Sequence, residues 1–328
     1  MAEDNKKKIK IVFSDIDGTF VHYPKKLEGL GRIEEDPNSP TGLHFVSKAS
    51  GACHPLIALP ASSTGQQGFL SLETLKMVRK LREAGIQFAI ITGARYATVL
   101  ERVPYLPLAD AIIVENGGRI FEQDPDLLTF FKEDHAWRAT QTPTVGSVHE
   151  ARKPPADRKG LLWDSYRKLH ADGWTVDAQS YTTLFRVKGG DKDPAELEQF
   201  IASLPEGLAS SVNLGMADIY PSTSGKHSAT RYLTEKKGFT ADEVVCMCDD
   251  DNDLKMAEYC SHAYLPGMNA PSVVAAAKAK PEHYTPGKME GIEGTHEALL
   301  FIMARCGIEY KVQTSTATSV DAGGCSLQ

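Results

Sequence analysis

Two aspartates, Asp15 and Asp17, directly follow a short apolar segment near the start of the chain. Residues 9–21 read IKIVFSDIDGTFV, and the apolar run in this segment predicts a strand that is buried on both faces, as in a parallel sheet. An unpaired buried carboxylate costs several kcal/mol, so two acids at such a strand end require a cation beside them. The spacing therefore predicts a divalent cation and a phosphorylated ligand rather than an ordinary acidic turn.

A second acidic segment, DDDND at 249–253, follows the apolar segment EVVCMC and opens a predicted helix. Carboxylates favour a helix N-terminus, but four acids in five residues repel one another, and a metal ion relieves that repulsion. In an open α/β sheet the carboxyl ends of the strands line one crevice. We therefore expect the two acidic segments to meet around a single ion.

Thr92 and Lys226 are the candidate phosphate-binding side chains. Thr92 ends the apolar segment IQFAIIT and is followed by a predicted helix, so its hydroxyl and the nearby N–H groups could hold an anion. The alternative is an ordinary turn and helix cap. Lys226 begins a helix in STSGKHSAT, where the helix dipole disfavours a cation, which favours a role at a phosphate over a solvated surface position.

These segments resemble the four motifs of the haloacid dehalogenase superfamily of phosphohydrolases. DIDGT resembles the first motif, ITGAR the second, the segment around Lys226 the third, and Asp249 with Asn252 and Asp253 the fourth. Cys248 stands where the family often has glycine. The resemblance covers about 9–118 and 221–305. It places an inserted module between the second and third motifs, as in the Cof-like and sucrose-phosphatase-like members, whose caps close over the substrate.

The resemblance implies a role for each motif residue. Asp15 would be the nucleophile, and Asp17 would protonate the leaving group and later activate water. Four acids would hold Mg²⁺, with Asn252 in support: Asp15, Asp17, Asp249 and Asp253. The phosphate oxygens would be neutralised by Thr92 and Lys226. The backbone near Gly18, Thr19 and Gly93 would contribute as well.

The candidate substrate-reading residues lie near the cap hinge and in the cap. Asn116 in ENGG is one, with a turn-forming Asn-Gly as the alternative, and Arg186 in LFRVKG is the other, with an exposed strand arginine as the alternative. The resemblance implies a Mg²⁺-dependent phosphatase that hydrolyses a small phosphorylated metabolite, a sugar phosphate above all, through an aspartyl-phosphate. The acid at Asp17 speaks against dehalogenation. A phosphomutase and a phospho-ligand-binding protein without turnover are the alternatives.

The arrangement of predicted elements specifies the fold that would position these residues. Strands and helices alternate through 1–121 and again through 222–310, which predicts an α/β fold with a doubly wound parallel sheet. Residues 122–221 predict an inserted α+β cap. Residues 22–68 are rich in Pro, Gly and Ser and predict a long loop with a short hairpin near 43–59, and the small polar residues 311–328 predict a mobile tail.

Composition restricts the partners. The chain has 328 residues and a formal net charge of -7, which disfavours nucleic acid as the main partner. It contains no run of about 20 apolar residues, and its first residues lack an apolar signal core, so we expect no membrane partner. The six cysteines form no CxxC pair, which favours reduced thiols. We expect a cytoplasmic monomer or homodimer that binds a small phosphorylated metabolite.

Overall fold

The computed structural model describes residues 8–62, 65–127, 129–188, 193–213, 216–313 and 315–316. The strands in these residues are β1 Ile11–Ser14, β2 Gly31–Glu35, β3 Leu43–Ser47, β4 Ala52–Ala58, β5 Phe69–Ser71, β6 Gln87–Ile91, β7 Ala111–Val114, β8 Arg119–Gln123, β9 Phe131–Glu133, β10 Thr175–Asp177, β11 Phe185–Lys188, β12 Leu208–Asn213, β13 Met216–Pro221, β14 Val244–Met247, β15 His262–Leu265, β16 Tyr284–Pro286 and β17 Ser315–Thr316. The α-helices are α1 Pro24–Leu27, α2 Leu72–Glu83, α3 Tyr96–Arg102, α4 His135–Val145, α5 Leu161–Ala171, α6 Pro194–Ala202, α7 Lys226–Lys236, α8 Leu254–Tyr259, α9 Pro271–Ala279 and α10 Gly291–Arg305.

The central sheet has eight strands in the order β16-β15-β14-β1-β6-β7-β8-β9. Pairing is parallel from β16 to β7 and antiparallel from β7 to β9. Side chains of β1 alternate between two hydrophobic clusters, with Val12 in one and Ile11 and Phe13 in the other. The sheet is therefore buried on both faces, and the predicted α/β fold is confirmed.

The cap has its own four-stranded antiparallel sheet in the order β10-β11-β13-β12. Its core includes Trp163 and Trp174, whereas Trp137 belongs to a core cluster of the central sheet and its indole N–H donates to the Gly117 carbonyl. Strand β9 lies within 122–221, the range predicted for the cap, yet it is the edge strand of the central sheet. The chain therefore leaves the central sheet only after residue 133.

The described residues of 22–68, which are 22–62 and 65–68, form a helix and strands instead of the predicted long loop. The predicted hairpin near 43–59 is present as β3 and β4, and β2 and β17 extend it to the order β17-β4-β3-β2, with β5 paired to β4. The prediction was wrong because the Pro, Gly and Ser residues lie largely between strands, and the apolar side chains between them pack on α10 through Ile292. Leu27, Phe45, Leu56 and Phe69 form this cluster with Ile292.

Strand β17 also falls within the tail predicted to be mobile, 311–328. In the described part of that tail, Ser315 pairs with Cys53, and the N–H of Gln313 donates to the Glu73 carboxylate at 3.1 Å. Residue 314 and residues 317–328 lie outside the described residues. All five cysteines in the described part of the chain are free thiols. Among the described helices, none has both the length and the apolar character needed to cross a membrane.

Candidate active site

Three buried carboxylates converge at the carboxyl ends of β1 and β14. These strands are parallel neighbours, and Ser14 pairs with Met247, so the residues that follow each strand emerge side by side. One carboxylate oxygen from each of Asp15, Asp249 and Asp253 lies within 4.8 Å of the others. The structure thus brings together acids that are more than 230 residues apart in the chain.

Lys226 lies against this acidic group at the start of α7. Its Nζ is 2.9 Å from Asp15 Oδ1 and donates to Asp253 Oδ1 at 2.7 Å. A longer contact of 3.4 Å joins it to the side-chain oxygen of Asn252. With all three acids ionised, one ammonium group leaves two negative charges unbalanced, which is the charge of one divalent cation.

Burial dominates the electrostatics of the acidic group. It raises the pKa of Asp15 well above its usual range, with Lys226 opposing and Asp253 and Asp249 reinforcing the shift. Burial and Asp253 raise the pKa of Asp249 to about 7. Burial also raises the pKa of Asp253, again against Lys226. Burial works to lower the pKa of Lys226, but Asp15 and Asp253 outweigh it and raise that pKa. The three carboxylates are therefore held in a place that disfavours their joint ionisation.

Asp249 is oriented by side chains on both sides. The Thr19 hydroxyl donates to Asp249 Oδ1 at 2.7 Å, and the Asn269 amide donates to Asp249 Oδ2. Gly18 has a φ of +89°, and a Cβ at this position would overlap the Asp249 carboxylate, so only glycine fits. Thr19 is one of the predicted substrate-binding residues, and its hydroxyl donates to a predicted metal ligand. Sequence reasoning did not identify Asn269.

Asp17 lies outside the acidic group and has partners of its own. The Tyr23 hydroxyl donates to Asp17 Oδ1 at 2.6 Å, and Arg102 Nη1 lies 3.4 Å from the same oxygen. Arg102 is only 2% exposed, and its Nε donates to the Pro60 carbonyl at 3.3 Å. Sequence reasoning missed both partners, because Tyr23 lies in the segment predicted as a loop and Arg102 on a helix with no motif.

A small cavity of about 80 Å³ lies over these groups. Its walls include Asp15 and Asp17, the backbone at Gly18 and Gly93, and Thr92. The Thr92 hydroxyl oxygen accepts the Ala94 N–H at 3.0 Å, which leaves the hydroxyl proton to donate. The remaining side chains around the cavity are Tyr23, Lys26, Asp249, Asp250, Asn252 and Asn269. A hydroxyl, backbone amides and acids around one small space suit a phosphoryl group bound beside a metal ion.

Asn116 and Arg186, the predicted substrate-reading residues, lie outside this cavity. The Asn116 amide donates to the Ser211 hydroxyl of the cap at 2.7 Å. The Arg186 guanidinium forms a bidentate pair with Asp218 on the neighbouring cap strand at 2.7 and 2.9 Å. Asn116 therefore contacts the cap at the hinge, and Arg186 lies in a second cavity described below.

Glu115 connects the core to the cap. Its fully buried carboxylate accepts the Thr182 N–H at 2.8 Å, the Thr183 N–H at 2.7 Å and the Thr183 hydroxyl at 2.7 Å. Glu115 and Asn116 both have positive φ, 54° and 55°, which is uncommon for residues with side chains and indicates a turn held by its surroundings. These bonds hold the cap at a defined position over the site.

We expect Glu115→Ala to destabilise the protein by about 2–4 kcal/mol, because it leaves several buried donors of the cap without an acceptor. The measurement is urea unfolding at pH 7.5, with the exposed Glu101→Ala on α3 as the matched control. If the hydrogen bonds of Glu115 hold the cap to the core, Glu115→Ala should also be cleaved faster by a protease at the hinge. Equal unfolding midpoints for the two variants would contradict it.

Sequence comparisons find similar proteins among hydrolases. A family model described as haloacid dehalogenase-like hydrolase matches residues 147–284, which include Lys226 and the second acidic segment. A phosphoglycolate phosphatase from Thermoplasma volcanium is 22% identical over 244 residues, which cover 74% of this chain and 97% of that protein.

Solved structures show the same fold. The sucrose-phosphatase from Synechocystis, solved with sucrose and phosphate, matches with a TM-score of 0.57 and 15% identity over 90% of this chain and 98% of that one. A phosphatase of the haloalkanoate superfamily from Bacteroides thetaiotaomicron matches with a TM-score of 0.56 and 13% identity over 94% of this chain and 98% of that one. The chain thus resembles the haloacid dehalogenase-like hydrolases, because residues 147–284 match their family model and the fold with its inserted cap is shared with both of these phosphatases.

Proposed function

We propose that this protein is a Mg²⁺-dependent phosphatase that hydrolyses a small phosphorylated metabolite, such as a sugar phosphate, through an aspartyl-phosphate on Asp15. The observation that carries the proposal is the convergence of Asp15, Asp249 and Asp253 around Lys226 beneath a small cavity lined by Thr92. Acids for a metal, a carboxylate nucleophile and anion-binding groups are the parts that phosphoryl transfer requires.

The residues present fit a magnesium ion. The three carboxylates supply hard oxygen ligands, and Asp253 Oδ2 is buried without a hydrogen-bond partner among the described residues. A divalent cation would balance the two excess negative charges. We propose that Asp15, Asp249 and Asp253 hold it with the help of Asp17, while Asn252 supports the loop. When bound, the ion would neutralise charge on the phosphoryl oxygens.

The chain's own residues account for the chemical steps. An Asp15 oxygen attacks phosphorus, the bond from phosphorus to the leaving oxygen breaks, and Asp17 gives its proton to that oxygen. Water then attacks phosphorus, Asp17 takes the water proton, and the bond to Asp15 breaks to release phosphate. Lys226, Thr92 and the amides near Gly93 stabilise the negative charge on the phosphoryl group. Tyr23 and Arg102 hold Asp17 in place beside the leaving group.

The test is phosphate release from a panel of phosphorylated metabolites, with and without Mg²⁺. We expect release that depends on Mg²⁺ and continues at a steady rate. Transfer of the phosphoryl group within the substrate, without net phosphate release, would instead identify a phosphomutase. Binding without any reaction would identify a ligand-binding protein.

Mg²⁺ should also stabilise the protein in the absence of substrate. We expect 10 mM Mg²⁺ to raise the free energy of unfolding by about 1–3 kcal/mol at pH 8, since a ligand that binds the folded state at 10–100 times its Kd contributes that much. The measurement is thermal unfolding, and Asp249→Asn should remove most of the effect. The exposed Asp157→Asn serves as control. An equal Mg²⁺ response in Asp249→Asn would contradict the proposed ligand set.

We further propose a cytoplasmic protein that acts on a free metabolite as a monomer or homodimer. Free thiols in the described residues and the acidic net charge support this setting.

A further inference from the structure

A second, larger cavity of about 370 Å³ lies between core and cap, next to the phosphate cavity. The two cavities share Asp17 and Tyr23. Because Asp17 is the proposed proton donor to the leaving oxygen, the larger cavity is where the rest of the leaving group would lie. Its volume is in the range of small-molecule sites and is large enough for a group of sugar size.

The cap side of this cavity is one face of the cap sheet. Along β11, Phe185 and Val187 pack into the cap core, so the alternation of a strand places Arg186 and Lys188 on the opposite face, where they line the cavity. Asp177 of β10 pairs in register with Arg186 and lines the same cavity. Asp218 of β13 also pairs in register with Arg186, so this face carries two cations and two acids.

The core side adds two arginines. Arg95 donates to Asp177 at 2.5 Å, its guanidinium lies 4.7 Å from the centre of the Tyr181 ring, and its Nε is buried without an acceptor among the described residues. Arg102 is paired with Asp17. Both arginines line the cavity.

Among the described residues around the cavity, the cations outnumber their acidic partners. Asp17 balances Arg102, Asp218 balances Arg186, and Asp177 lies near both Arg95 and Lys188, at 2.5 and 3.6 Å. One positive charge therefore remains among Arg95, Arg186 and Lys188. None of the proposed phosphate-binding groups is included in this balance. A partly enclosed site with an excess cation favours a ligand with a further negative charge.

We propose that the substrate's leaving group carries a second anionic group, a carboxylate or a phosphate, which binds the cation cluster Arg95, Arg186 and Lys188. The inference rests on the proposed phosphatase function. It narrows the proposed substrates from sugar phosphates in general to phosphorylated sugar acids and sugar bisphosphates. The three cations are specificity-determining residues in this proposal, and Asp15 and Asp17 carry the chemistry.

The test compares three six-carbon probes: glucose 6-phosphate, whose leaving group is neutral, 6-phosphogluconate, which adds a carboxylate, and fructose 1,6-bisphosphate, which adds a phosphate. We expect kcat/KM for at least one anionic probe to exceed that for glucose 6-phosphate tenfold or more. Which of the two is preferred distinguishes a carboxylate from a phosphate at the cluster.

Two variants test the cation cluster itself. Lys188→Met removes a partly exposed cation, and Arg186→Met with Asp218→Asn removes a charged pair together, so that no buried charge is left unpaired. In Lys188→Met, the ratio of kcat/KM between the anionic and the neutral probe should fall at least tenfold, mainly through KM. In the double variant the ratio should fall less, because one positive and one negative charge are removed together. Lys168→Met, an exposed cation on cap helix α5, is the matched control and should leave the ratio unchanged.

Titration calorimetry on Asp15→Asn gives the same comparison without turnover. A wild-type preference for the neutral probe, or a ratio that neither cluster variant lowers, overturns the anionic-group proposal while phosphate release itself persists. No release from any probe overturns the proposed function. If no probe is hydrolysed but Asp15→Asn binds the anionic probes more tightly than glucose 6-phosphate, the cation cluster is still supported as an anion site. If Asp15→Asn binds all three probes equally, the anion site is overturned as well.

Discussion

Asp15→Asn should lower phosphate release by at least about 10³-fold, because an amide cannot act as the nucleophile that forms the covalent intermediate. The same substitution should stabilise the protein in the absence of Mg²⁺. Burial raises the pKa of Asp15, with Asp253 and Asp249 adding to the effect, so its ionised form is disfavoured in the fold. A neutral side chain of the same shape removes one of three crowded charges.

The measurements are phosphate release with Mg²⁺ and thermal unfolding at pH 8 in EDTA, where we expect a melting temperature about 2 °C or more above wild type. Asp157→Asn makes the same chemical change at an exposed cap position and should alter neither quantity. Wild-type turnover in Asp15→Asn would refute the proposed nucleophile. A lower melting temperature would refute the account of charge crowding.

Lys226→Met should have the largest combined effect on activity and stability. The variant leaves Asp15 and Asp253 without the ammonium group that lies 2.9 and 2.7 Å from their oxygens in a fully buried place. Breaking a buried ion pair from one side costs about 3–5 kcal/mol. We expect activity to fall at least about 10²-fold, since Lys226 also stabilises the phosphoryl charge in the proposed mechanism.

The stability loss in Lys226→Met should depend on pH in a defined direction. Acids whose folded pKa is raised, as for Asp15 and Asp253, destabilise the fold above that pKa and are relieved as the pH falls and they take up protons. The difference from wild type in urea unfolding should therefore be larger at pH 8 than at pH 5.5. Lys255→Met, an exposed lysine on α8, serves as the control. A loss that grows toward acid pH would contradict this explanation.

Buried strands that end in polar residues could be predicted directly from the amino-acid sequence. The apolar residues before Asp15, Thr92 and Asp249 predict strands, and β1, β6 and β14 are present at those positions. The Ser71 cap and the spacing of Val78 and Leu81 likewise predict α2, whose Ser71 hydroxyl accepts the Glu73 N–H at 3.2 Å. These features are local, since burial and capping depend on neighbours within a few residues.

Features that depend on distant contacts could not be read in this way. Residues 22–68 resemble a loop in composition, but the strands among the described residues of this segment form a sheet whose apolar side chains pack against α10. Tyr23 and Arg102 meet at Asp17 although 79 positions separate them. The Glu115 carboxylate at the hinge accepts a hydrogen bond from Thr183 of the cap, which is 68 positions away in the chain. No local pattern distinguishes these residues from ordinary surface polar residues.

The amino-acid sequence by itself determined the parallel core and the strand ends that carry the acids, because alternating strands and helices allow few arrangements. Only the tertiary structure decided which polar groups meet: Thr19 with Asp249 across 230 positions, and Arg186 with Asp218 rather than free in the cap. Such pairings are set by how separate elements pack, and the cost of burying an unpaired polar group then selects the partner.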